Sequence, residues 1–323
     1  MEATTISFTD SRITFANRVD HASARLGIRR NHHRVQPGLY SVGSPTEDSP
    51  VLVSANYTLS FDALRSSLSE IDAFILVLDT KGINVWCAAG KGSFGTDELV
   101  RRIEAVGLKR LVNHRRLILP QLGAPGIAAH EVRERSGFRV EFGPVDAADL
   151  PEYLHIRKAT PAMRRVNFGI SARSVLIPVE AVHIVLPVVV VSLALRLTGL
   201  IGHFYNVALA GVLAGVVLFP LLLPWIPTQD FSTKGFLVGV LAWVPILIRE
   251  ILQPDGLWWR TALVAFGSLL VVTAISSFLS LNFTGSTSFT SRSGVRKEIF
   301  RYIPAIAWIF GVGVVLSIVM LFV

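Results

Sequence analysis

From Val175 onward this chain almost stops carrying charge, and five long apolar runs follow one another. Residues 171–323 hold nine Lys/Arg and five Asp/Glu, whereas residues 1–170 hold the other 40 charged residues. The runs are Val175–Leu200, Asn206–Ile226, Gly235–Leu252, Thr261–Leu281 and Tyr302–Val323. Each is near the ~20 residues that a helix needs to cross ~30 Å of hydrocarbon. Such a chain cannot be a wholly soluble enzyme, a disordered polymer or a disulfide scaffold. The pattern predicts a soluble front and an all-α transmembrane domain of five helices. Four segments follow: an N-terminal extension (1–35), an α/β domain (36–158), a basic linker (159–173) and the transmembrane domain (174–323).

Five spans put the two ends of the chain on opposite sides. With the front domain inside, the inner segments carry Arg157, Lys158, Arg164, Arg165, Arg173, Lys234, Arg292, Arg296, Lys297 and Arg301. The outer ones carry only Arg196, Arg249 and Arg260. Basic loops stay inside, so the front domain is expected to be cytoplasmic and the C-terminus outside an inner membrane. Met1 to Asp10 is polar and lacks the apolar core of a secretory signal. The basic excess of the front half is scattered and not interleaved with aromatics, which argues against nucleic acid. Glu180 and His183 form an ionisable pair one turn apart in the first span. They either serve function, sit close to the interface or glue helices together as a polar pair.

The front half alternates strand and helix. Val51–Asn56 and Ala73–Leu78 read as buried strands, the second apolar throughout, as a strand covered on both faces should be. Phe61–Ile71 reads as an amphipathic helix. Thr96 is a suitable N-cap for a helix to Val106, closed by Gly107. A short strand starts at Leu111-Val112, and Leu117–Pro120 leads into a loop. Ala128–Arg135 is a helix ended by Gly137, and Phe138–Phe142 a last strand. This pattern predicts a Rossmann-like α/β domain with a mainly parallel sheet. Ligands of such sheets bind beyond the carboxyl ends of the strands.

One such end leads into Asp79-Thr-Lys-Gly-Ile-Asn-Val-Trp-Cys-Ala-Ala-Gly-Lys-Gly92. Asn84 is a strong N-cap type, and Val85, Trp86, Cys87, Ala88 and Ala89 then make one or two helical turns. Gly90 and Gly92 stop them. Cys87 falls at the third helical position, where backbone N–H groups favour thiolate, the form that ligates metal. Lys91 adds positive charge nearby. Cys87 is the only cysteine, so no intrachain disulfide and no four-cysteine zinc or iron–sulfur site can form from this chain. The bland alternative is a small buried hydrophobe. Trp86 either packs under the helix or faces a ligand.

The run Asn84-Val-Trp-Cys-Ala-Ala-Gly-Lys91 resembles the cap-helix motif of the mercury-methylating corrinoid protein family (HgcA). That family is related to the large subunit of the corrinoid iron–sulfur protein of acetyl-CoA synthesis. Gly38-Leu39-Tyr40, Ser49–Val53, Leu78–Gly82, Leu119–Gly126, Ser136-Gly137-Phe138 and Asn282–Thr287 are similar to the same lineage. A corrinoid domain followed by five spans is also that family's order.

The resemblance implies a Rossmann-like corrinoid-binding domain, a cobalamin-type corrinoid and Cys87 on its cobalt. Asn84 to Gly92 form one face of the site, and Gln121, Gly123, Ala124, Pro125 and Gly126 a second corrin-facing loop. It implies methyl transfer from methyl-Co(III) corrinoid to Hg(II), giving methylmercury. A thiolate donates more strongly than imidazole, which suits departure of the methyl group as a carbanion equivalent to a soft electrophile. The Asp-x-His-x-x-Gly motif of imidazole-ligated corrinoid proteins does not occur here. His21, His32, His33, His114, His130 and His155 are therefore expected on surfaces or helices. No iron–sulfur cluster is expected in this chain. The implied partners are a small 4Fe-4S ferredoxin-like protein of the HgcB type and a methyltetrahydrofolate-dependent methyl donor. The polar stretch Asn282–Gly294 is expected either to dock against the corrinoid domain or to serve as a connector. The first rival is a corrinoid methyl carrier of one-carbon metabolism with another acceptor. The second is a thiol metal-binding protein without corrinoid.

Overall fold

The computed structural model describes residues 6–29, 32–197, 201–253, 257–283 and 292–319. The chain forms two compact units, Met1–Asn167 and Phe168–Val323. The first holds strands β1 (Ile6–Thr9), β2 (Gly38–Val42), β3 (Val51–Ala55), β4 (Ala73–Leu78), β5 (Arg116–Leu119) and β6 (Arg139–Phe142). Its helices are α1 (Phe15–Arg25), α2 (Thr58–Ser66), α3 (Val85–Lys91), α4 (Thr96–Ala105), α5 (Ala129–Ser136) and α6 (Leu150–Ile156).

One six-stranded sheet runs β1-β2-β4-β3-β5-β6. Strands β3 to β6 are parallel to one another, with Ala55 opposite Leu78 and Leu119 opposite Phe142. The expected mainly parallel sheet holds for those four. The whole sheet is mixed, because β2 runs antiparallel to β4, and β1 then pairs parallel to β2.

Strand β4 explains its own composition. Phe74, Leu76 and Leu78 enter one core with Leu99, Ile103 and Val132 of α4 and α5. Ala73, Ile75 and Val77 enter the other, with Phe61 of α2 and Leu150 and Tyr153 of α6. Successive side chains alternate faces, so a strand covered twice is apolar at every position.

Several boundaries differ from the sequence reading. Helix α2 begins at Thr58 rather than Phe61 and ends at Ser66. Thr96 is the first helical residue after Gly95, and its hydroxyl accepts instead from Ala128 N at 2.8 Å. The expected strand at Leu111-Val112 is a turn after a short 3-10 helix, Leu108–Arg110. The strand itself is Arg116–Leu119.

Not all six histidines are peripheral. His33 is 4% exposed. Its Nδ1 lies 2.7 Å from Asp20 Oδ1 and its Nε2 2.6 Å from the Ile28 carbonyl. His21 Nε2 lies 2.7 Å from Asp62 Oδ2, and the Arg65 guanidinium joins Asp62 to Asp10. These contacts hold α1 to α2. Burial lowers the His33 pKa, but bonds to Ile28 and Asp20 outweigh it and leave it above the usual histidine value. Both partners only accept, so the doubly protonated ring fits best. A raised folded pKa gives stability that is complete below the unfolded value, about 6.5, and is lost as pH rises through the folded value. Limited proteolysis should therefore nick the α1 region faster at the alkaline side of that range, and His33→Gln should abolish the pH dependence.

The second unit contains α7 (Ile170–Ser174), α8 (Leu176–Leu197), α9 (Ile201–Leu213), α10 (Phe219–Leu222), α11 (Phe231–Leu252), α12 (Trp258–Phe283) and α13 (Arg292–Val319). A π-helical turn, Ala214–Leu218, joins α9 to α10. Four stretches among the described residues are long and apolar enough to cross a membrane: Tyr205–Trp225, Phe231–Leu252, Trp258–Phe283 and Ser293–Val319. The sequence reading expected five. The first run, Val175–Leu200, contains α8, with Glu180 and His183, and its last three residues lie outside the described ones.

Helix α12 is the centre of this unit, and small residues let its neighbours close in. A Cβ on Gly239 would come within 2.8 Å of Thr273 Cα, and one on Gly215 within 2.6 Å of Leu279 Cβ. Ser276 Oγ donates to the Gly235 carbonyl at 2.7 Å. Helix α13 starts well before Tyr302. Its Glu298 accepts from the backbone N–H groups of Phe231 and Ser232 at 3.0 and 3.3 Å, and so caps α11. Asn282 ends within α12, Gly294 lies in α13, and Thr284–Thr287 lie outside the described residues.

Candidate functional site

The carboxyl edge of the parallel strands is marked by Ala55, Leu78, Leu119 and Phe142. Three segments leave this edge, and together they form the candidate site. The chain turns one way from β3 to β4 and the other way from β5 to β6. Ligands of open α/β sheets bind at such a reversal.

Helix α3 follows β4. Asn84 is its N-cap, in extended conformation, and its side chain accepts from Cys87 N at 2.8 Å. Cys87 therefore stands at the third helical position, and it is partly exposed. Val85, Ala88 and Ala89 are buried beneath it, and Trp86 is half-buried. The buried, exposed and buried positions thus leave Cys87 on the side of the helix away from the core. Gly90 belongs to the helix rather than ending it. Gly92 is the stop, with φ of +83°. Lys91 is exposed in the last turn, where the helix dipole favours a cation.

The segment Gln121–Gly126 follows β5 as a 3-10 turn and packs on α3. Phe94 is wholly buried between them. A Cβ on Gly123 would stand 2.6 Å from the Phe94 ring. One on Gly126 would stand 2.1 Å from the Phe94 carbonyl and 3.0 Å from Ala89 Cα. The glycines of this segment are therefore needed for helix and loop to meet. Ala124 is partly exposed and Pro125 exposed. Two buried polar atoms here, Gln121 Oε1 and Ser93 Oγ, have no hydrogen-bond partner among the described residues.

The third segment escaped the sequence reading. Asn56, directly after β3, is 3% exposed. Its Oδ1 accepts from Thr80 N at 3.1 Å and Gly82 N at 2.9 Å, and lies 2.9 Å from Thr80 Oγ1. Its Nδ2 donates to Asp79 Oδ1 at 3.2 Å. Glu98 of α4 accepts from Asp79 N at 2.8 Å and pairs with Arg101 and Arg102. One buried amide and one carboxylate thus fix the loop that presents α3. An asparagine directly after a wholly buried strand was the available signal.

The capping geometry gives a local prediction. Asn84→Ala should lose about 0.5–2 kcal/mol of helix stability. Gly92→Ala should lose about 1–2 kcal/mol through its left-handed backbone alone, since nothing lies within 4 Å of the added Cβ. Thermal unfolding should rank both below wild type, with Gly90→Ala closest to it.

Comparison with known proteins bears on this unit alone. Residues 29–154 match the family described as CO dehydrogenase/acetyl-CoA synthase delta subunit. The similarity is to acetyl-CoA decarbonylase/synthase. The gamma subunit of that complex from Methanopyrus kandleri is 35% identical over 127 residues, covering 39% of this chain and 27% of the relative. The Methanothermobacter thermautotrophicus subunit is 32% identical with the same coverage. That of Methanosarcina acetivorans is 35% identical, covering 37% of this chain and 26% of the relative. The chain thus spans about a quarter of the length of these relatives, and its apolar second unit lies outside the family match.

Proposed function

We propose that the soluble unit is a corrinoid-dependent methyl carrier of the acetyl-CoA decarbonylase/synthase type, tethered to a membrane, with Cys87 as its ligand to cobalt. The similarity over residues 29–154 supports this carrier reading over one specific to mercury. The observation that carries the ligand assignment is the capped helix, which turns a partly exposed thiol away from the core at the ligand edge of the sheet.

When bound, the corrinoid supplies a cobalt that takes up and gives up a methyl group. The residues present fit such a group. Cys87 offers a soft donor, and Asn84 holds its backbone. Gln121 Oε1 and Ser93 Oγ, unpartnered among the described residues, suit the amide side chains of a corrin. Val85, Trp86, Ala88, Ala89, Gly90, Lys91 and Gly92 carry the thiol. Gly123, Ala124, Pro125 and Gly126 form the facing wall.

A second reading makes Hg(II) the methyl acceptor. It is favoured by one observation, that the soft donor presented at this edge of the sheet is a thiol, Cys87. A thiolate is a stronger donor than imidazole and suits transfer to a soft metal ion. Either reading calls for a low-potential reductant, for which a 4Fe-4S ferredoxin-like protein is suited, and for a methyltetrahydrofolate-dependent donor. Full-length protein purified in detergent should retain cobalt in stoichiometric amount. Loaded with labelled methyl, it should pass the label to Hg(II) if the second reading holds, and to an acetyl-CoA-forming acceptor if the first does. Cobalt-free protein after growth with ample corrinoid would overturn both.

The basic asymmetry of the loops supports a cytoplasmic soluble unit. A reporter after Val323 should be active only outside the cell and one at Thr287 only inside. The reverse pattern would overturn this orientation.

A further inference from the structure

Among the described residues, helix α1 is held on one side only. Asp20 and His21 face His33 and Asp62. Its free side carries Phe15, 81% exposed, and Val19, 49% exposed, with Arg18, Ala22 and Arg25 exposed beside them. These positions fall three and four residues apart, which aligns them on one helix face. That face carries no acidic residue. Exposed Arg12 and Arg29 lie just beyond its two ends. The outer strand β1 adds exposed Phe8 and Ile6. The start of the helix is fixed by a reciprocal cap between Thr14 and Asn17, so the face is preformed. Large exposed apolar side chains gathered on one preformed face mark an interaction surface.

We propose that this face of α1 lies on the surface of the bilayer, its apolar residues at the acyl boundary and its arginines on anionic headgroups. An apolar stripe bordered by arginine is the pattern of an interfacial helix. Charge complementarity favours acidic lipid, and the same polypeptide carries helices apolar enough to span a membrane. The tether holds the soluble unit at high effective concentration near the surface, so a weak contact is occupied. The contact rests on the membrane reading of the second unit, and it is independent of methyl chemistry.

The test uses the full chain in lipid nanodiscs whose two leaflets are alike, so that orientation does not enter. Failure of membrane insertion would show as failure to form discs, separately from the state of α1. In a Cys87→Ser background, Phe15→Cys carries an environment-sensitive fluorophore. In discs containing phosphatidylserine its emission should shift to the blue and be quenched by brominated lipid. Raising the salt from about 0.1 M to 1 M should reverse this, because the screening length falls from ~10 Å to ~3 Å. Arg18→Glu with Arg25→Glu should lower the ratio of bound to free α1 by at least ~25-fold, about fivefold for each arginine. Both residues are exposed, and unchanged hydrogen exchange in β3 and β4 would confirm that the fold is intact. Equal emission without quenching in phosphatidylserine and phosphatidylcholine discs would overturn the proposal. So would a blue shift that appears only as protein concentration rises, which would indicate a second copy of the chain.

Discussion

Replacing Cys87 with alanine is expected to abolish methyl transfer and the sulfur-ligated cobalt spectrum while leaving the fold in place. The thiol is partly exposed, and the helix cap runs through the backbone N–H of residue 87, not through its side chain. Little packing is lost. The loss of activity should exceed the ~10–100-fold that changes around a metal's ligands produce, because the proposed ligand itself would be gone. Cys87→Thr should behave almost alike, since a neutral hydroxyl is a weak donor. The measurement pairs visible spectra of the cobalt with methyl-transfer rates in the same preparation. Full activity with an unaltered spectrum in Cys87→Ala would refute the ligand assignment.

Asn56→Leu should destabilise the site strongly, although Asn56 touches no proposed ligand. Leucine fills a similar volume but accepts no hydrogen bond. Gly82 N would lose its side-chain acceptor and Asp79 a donor, while Thr80 N keeps the Leu78 carbonyl at 3.1 Å. A buried donor left without a partner costs about 1–3 kcal/mol, which sets the size of the expected loss. The loop from Asp79 to Asn84 would loosen, and with it the placement of α3. Thermal unfolding should show the loss, and corrinoid retention should fall with it. Asn56→Asp keeps the acceptor but faces Asp79, and it should lie between leucine and wild type. A wild-type melting temperature in Asn56→Leu would show that the network does not hold the loop.

Much of this molecule is written locally in its sequence. Cap and stop lie within a few residues of Cys87, so Asn84, the helix and Gly92 could be read from the chain alone; only the role of Gly90 was misjudged, because a glycine inside a helix and one ending it look alike in sequence. The apolar second unit was legible for a similar reason. A helix satisfies its own backbone, so its suitability for lipid depends on composition and length, not on partners.

Pairings between distant segments were decided by the tertiary structure. Nothing near Gly38–Val42 reveals that β2 joins β4 antiparallel, or that Ile6–Thr9 extends the sheet, because strand hydrogen bonds are made between segments far apart. Asn56 reads as the end of a strand until Thr80 and Gly82 are brought to it. Gly123 and Gly126 read as a turn until Phe94 and Ala89 press against them. The sequence alone determined the helices around the thiol, which segments are apolar and where the thiol stands, but not the helices Phe15–Arg25 and Leu150–Ile156. Folding decided which of them meet, since an unpaired buried polar group or a clashing Cβ exists only between partners that the chain has brought together.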